Sequence, residues 1–197
     1  MTKEEFEKLW KINYPNIVPI SYLFKNDCSE KWFRIHSLPK SKRYPENEKE
    51  WEILLSRQNE IITDLFGIDT PILIVTGEYN WGNDRVSHVT KEELIFKSYA
   101  FVELDKIDMF KIDSEQYDEI DIYRPAFAET NWNIEKQKDL IKEIANDRIR
   151  AFFVSFEKNI IVAPYDGGID FVLKDNETKN YYKNKYQNWL SEREDGL

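Results

Sequence analysis

The chain has 197 residues, 28 Lys+Arg against 37 Asp+Glu for a formal net charge of -9, one cysteine, and 6 Trp, 11 Tyr and 12 Phe. This length suits one domain with its own core, and the aromatic content excludes an acidic unfolded chain. Cys28 alone cannot form an intrachain disulfide, and the acidity disfavours nucleic acid and anionic membrane, whose phosphates demand cations.

In chain order, Thr2-Lys3-Glu4-Glu5 has capping-box spacing, and Phe6, Leu9 and Trp10 follow at helical intervals, so a helix is predicted to about Asn13. This start is charged and has no apolar run, so no signal peptide is expected. No apolar stretch approaches the ~20 residues that cross a bilayer, and a soluble, cytoplasmic protein is the expectation. Ile17–Phe24 and Lys31–His36 read as extended and would pair across the polar 25–30 turn. Trp51, Leu54/Leu55, Gln58, Ile61/Ile62 and Leu65 repeat at three and four residues, the pattern of an amphipathic helix with Trp51, Leu55, Ile62 and Leu65 turned to the core and Gly67 at its end.

Ile72–Thr76 is apolar on both faces, as in a covered strand, and is expected to pair with Ser98–Leu104. Thr90–Glu93 repeats the capping-box spacing and predicts one helical turn, and Ile107–Ile122 reads as irregular and acidic. A helix over Ile134–Asn146 precedes a meander of Ala151–Phe156, Ile160–Ala163 and Ile169–Leu173, then a helix from about Glu177 to Arg193 presenting Tyr182, Tyr186, Trp189 and Leu190 to the core. The expected class is a single α+β domain over 1–197, with a mostly antiparallel sheet and helices on one face.

Four segments carry candidate chemistry. From Lys31 to Pro45 there are five basic residues and no acid. Arg34, His36, Ser37, Lys40, Lys42 and Arg43 there are candidate ligands for a small anion, arginine supplying a fork and lysine a point charge. The alternative is a solvated loop, with Arg34, on a strand, paired to an acid of a neighbouring segment. After the buried strand, Gly77 to Arg85 offers Glu78 and Trp81, but Asn83-Asp84 stand where a P-loop needs Lys and Ser or Thr. Asp166 and Asp170 are four apart, too few oxygens for a hard-cation cage, and Asp166-Gly167 is favourable turn chemistry. Eight acids between Glu103 and Asp121 interleave with apolar residues. Asp108, Phe110, Asp113, Glu115, Tyr117 and Asp118 are the candidate contacts there for a basic partner protein, by charge steering and a few buried apolar anchors. No catalytic or metal-ligating set is found in the sequence patterns, and no cofactor is expected.

The run Trp32–Pro45, continuing through Glu48, Trp51 and Arg57-Gln58-Asn59, with Tyr165-Asp166-Gly167-Gly168 and Trp189-Leu190-Ser191 near the end, resembles an uncharacterised bacterial family of small cytoplasmic proteins with a domain of unknown function. The resemblance implies no activity and no catalytic residues. By analogy of size, acidity and aromatic content alone, immunity proteins, which block a partner toxin, are the type of binding protein expected. The alternative is an enzyme or binder of a small anionic ligand using the Arg34–Arg43 loop.

Overall fold

The computed structural model describes residues 1–81 and 95–191. The Thr90–Glu93 capping box, His88 and the 82–85 part of the glycine loop lie outside the described residues.

Among the described residues, eight antiparallel strands form one sheet: β1 (Trp32–His36), β2 (Pro71–Trp81), β3 (Val102–Glu103), β4 (Ile107–Asp108), β5 (Asp121–Asn131), β6 (Ala151–Ser155), β7 (Ile160–Pro164) and β8 (Gly168–Val172). Their order is β1-β8-β7-β6-β2-β5-β3, with β4 also on β5. The protein is α+β. Alternation along each strand divides the core in two. Phe33, Ile35, Ile72, Ile74, Phe153, Val162, Ile169 and Phe171 face one cluster, and Leu73, Val75, Phe152, Val154, Ile161 and Val172 face another.

The first cluster is covered by α3 (Glu48–Phe66), α4 (Ile134–Ala145) and α5 (Asn176–Lys185). The opposite face is covered as well, which corrects the expectation of helices on one face only. There α1 (Lys3–Asn13) and α2 (Phe24–Asp27) seat Phe6 on Phe127 and Phe24 on Phe152, at 4.6 and 5.1 Å between ring centroids. A sheet apolar on both sides requires cover on both.

The capping box of α1 is present, with Thr2 Oγ accepting from Glu5 N–H and the Glu5 carboxylate accepting from Thr2 N–H. Along α3, Leu54, Gln58, Ile61, Ile62, Leu65 and Phe66 are buried, while Trp51 and Leu55 are only partly so. Gly67 ends α3 at φ 84°, a backbone conformation that L side chains adopt with strain.

Three strand expectations change. Ile17–Phe24 is not a strand: Pro19 withholds a donor, and Ser21–Leu23 forms a 3-10 turn running into α2. β1 therefore pairs with β8 instead. β2 is central but lies between β5 and β6, while Val102–Glu103 pairs with β5. The 11-residue β5 occupies a stretch with Pro125 at its middle. Its central neighbour in β2 is Gly77, where a side chain would collide with the Tyr123 ring. The last helix stops at Lys185, followed by a 3-10 turn over Gln187–Trp189. Tyr182 and Tyr186 hydroxyls donate to the Asp64 backbone carbonyl and carboxylate, tying this C-terminal segment to α3.

Candidate functional site

The basic run is divided by its backbone. Arg34 lies on β1 and donates from Nε and Nη2 to the two carboxylate oxygens of Asp170 on β8, at 2.6 and 2.9 Å, with its guanidinium 4.4 Å from the Tyr165 ring centroid. Burial opposes its charge, yet the Asp170 bond and charge raise its pKa overall. Arg43 pairs through Nε with the buried carboxylate of Asp166, which also accepts from Tyr44 Oη at 2.7 Å. Lys42 turns away to Glu50 at 2.7 Å and Glu46 at 3.0 Å. Ser37 is buried and accepts from Gln58 Nε2 at 2.9 Å. Lys40 is exposed and forms no ion pair among the described residues.

Two clefts result. One, of about 220 Å³, lies where β1 and the β7–β8 turn meet the 147–150 loop. It holds Arg34, Arg43 and Arg150 with Asp147, Asp166 and Asp170, so its charges balance internally. The other, of about 310 Å³, lies between the turn after β1 and the C-terminal segment. His36, Lys40, Ser41, Arg57, Asn188 and Trp189 contribute to its wall, and no carboxylate does among the described residues. Sequence reasoning missed Arg57, three residues after buried Leu54 and so on the margin of the core-facing side of α3.

His36 is 8% exposed, and neither ring nitrogen has a partner in good hydrogen-bond geometry among the described residues. Burial lowers its pKa from 6.5, and the Arg34 and Arg57 charges lower it further, against the Gly167 carbonyl. Between the folded value and 6.5 the unfolded chain binds the additional proton, so stability is complete above about 6.5 and declines as pH falls through that window. Urea midpoints measured from about pH 7 to about pH 5.5 are expected to fall less in His36→Leu than in wild type. Equal slopes would show that the imidazole does not contribute.

A second prediction ranks the run. Arg34→Ala is expected to lower the urea midpoint most, Arg43→Ala less because its side chain is 63% exposed, and Lys40→Ala least. Equal losses at all three would contradict this division.

The acidic stretch forms a lobe on β5. Met109 and Tyr117 are buried in a small cluster with Ile20 and Tyr123. Tyr117 shares a 2.6 Å hydrogen bond with Tyr22, and burial pushes its hydroxyl up to about 12. It anchors the lobe from beneath instead of presenting a contact. The Asp113 carboxylate accepts from the Glu115 and Gln116 amides, and Asp121 accepts from Asp118 N–H at 2.9 Å. Asp108 pairs with Lys111 at 3.0 Å, which lowers its pKa. Left outside are Phe110, Ile112 and Ile120, exposed by 36, 37 and 63%, among the exposed acids Asp113, Glu115, Asp118 and Glu119. Glu78 stands exposed on β2 opposite Arg124, away from the basic run; the Trp81 side chain lies outside the described part.

No helix among the described residues is long and apolar enough to cross a membrane. Neither the curated proteins nor the solved structures contain a match to this chain. A family model does match, over residues 20–194, which takes in the sheet, both clefts and the acidic lobe, and the chain therefore belongs to the family described as a domain of unknown function, DUF3885.

Proposed function

We propose that the protein is a non-catalytic binding module that holds a basic partner protein through the 105–120 lobe, in the manner of an immunity protein holding a toxin. The carrying observation is the exposure of Phe110, Ile112 and Ile120 within a rim of carboxylates on a lobe whose own amides are largely occupied. Acids around apolar side chains steer a cationic surface in and then bury a few anchors against it. The net charge of -9 extends the same attraction beyond the lobe.

The test is affinity capture from an extract of the native host with wild type and with an Ile120→Ser/Glu115→Lys/Asp118→Lys variant. One basic protein retained in stoichiometric amount by wild type, lost in the variant and released by salt, is the expected result. Capture indifferent to the variant, or no stoichiometric partner, would overturn the reading. If the partner is toxic on expression, co-expression of wild type but not the variant should relieve it. A gene for such a protein beside this one would identify it.

A further inference from the structure

The second cleft has properties that the lobe does not use. Its described wall contains the cations Arg57 and Lys40 and no carboxylate, in a chain with nine more acids than bases. Neither cation forms an ion pair among the described residues, and burial lowers the Arg57 pKa. Two contacts hold Arg57 in place. It donates from Nη1 to the His36 carbonyl at 3.1 Å, and its guanidinium lies 5.2 Å from the Trp189 ring centroid. Trp189 is in turn stacked on Tyr186 at 4.8 Å. The His36 carbonyl is the one hydrogen-bond acceptor found for Arg57 among the described residues. His36 adds a buried imidazole beside the Gly167 carbonyl. Lys40 and Ser41 are both held at positive φ, 57° and 54°, without being glycine. Such strain persists only where the surrounding structure imposes it.

We propose that this cleft binds a small phosphate-bearing molecule, with the Arg57 guanidinium and Lys40 ammonium as its charge partners and Ser41 and Asn188 as hydrogen-bonding groups. A planar fork beside a point charge suits a phosphate's several oxygens, and about 310 Å³ leaves space for a small organic body behind it. The first cleft is the poorer candidate because its arginines are matched by aspartates.

Titration calorimetry with inorganic phosphate at constant ionic strength, with citrate as the carboxylate comparison, tests this. Saturable phosphate binding is expected, weakened about tenfold or more by Arg57→Gln, the loss of a charge-assisted hydrogen bond. Lys40→Gly should weaken it as well while its melting temperature equals or exceeds that of wild type, because glycine accepts the positive φ that lysine does not. Lys42→Gln, whose partners are Glu46 and Glu50, should bind as wild type. No saturable phosphate binding, tighter binding of citrate than of phosphate, or unchanged affinity in Lys40→Gly would each overturn the proposal. Should Arg57→Gln not fold, Lys40→Gly decides it.

Discussion

Asp170→Ala is expected to destabilise the protein by about 3–5 kcal/mol, because it leaves the largely buried Arg34 guanidinium without its paired carboxylate. The two side chains are 18 and 8% exposed, and their two-pronged contact joins the outermost strand β1 to β8. The guanidinium also lies 5.5 and 4.4 Å from the Trp32 and Tyr165 ring centroids. For a chain of this size the loss corresponds to roughly 6–20 °C in Tm. The double variant Arg34→Met/Asp170→Leu separates the cost of a broken pair from the worth of an intact one. It should recover most of the loss, since paired burial of charge gains little over apolar filling. A loss under about 1 kcal/mol in Asp170→Ala would mean that water reaches the guanidinium freely.

Leu54→Ala is expected to cost about 2–5 kcal/mol through lost transfer free energy and the cavity left behind, and Leu55→Ala clearly less. Leu54 is fully buried between α3 and the sheet, whereas Leu55 only borders the cluster. Thermal or urea unfolding of the two variants side by side checks the assignment. Equal costs would mean that the helix is rotated from the orientation described.

That pair also marks the reach of sequence reasoning. The three- and four-residue spacing was enough to locate α3 and its glycine stop. Ile53-Leu54-Leu55 offers three consecutive apolar residues, however, and only contact with the sheet selects among them. The meander β6–β7–β8 was legible because its turns are short and local. β5 was hidden by Pro125, which ordinarily argues against an interior strand. Here it sits opposite a glycine, and its carbonyl is taken by Leu104 N–H at 2.9 Å. For the site, the basic run was visible as charge, but its division was not. Arg34 and Tyr44 find their acids 136 and 122 residues downstream, a separation that leaves no local trace. In the acidic stretch the alternation of acids with apolar residues was plain, yet nothing in it distinguished Tyr117, which goes inward, from Ile120, which stays out.

The placement of β1 beside β8 has a consequence for how the chain is made. A ribosome releases Trp32–His36 early, but the strand it pairs with begins only at Gly168. Helix α1 is no better served, since Phe6 rests on Phe127. Until β5 and β8 emerge, Phe6 lacks the Phe127 ring and Phe33 and Ile35 lack the strand beside them, while the late meander completes its hairpins within a few residues of emerging. Long-range closure of this kind is slow and leaves apolar segments open to aggregation. Of the paired strands β1 and β8, the earlier one waits for the later, so the edge of the sheet closes only after Gly168–Val172 has emerged.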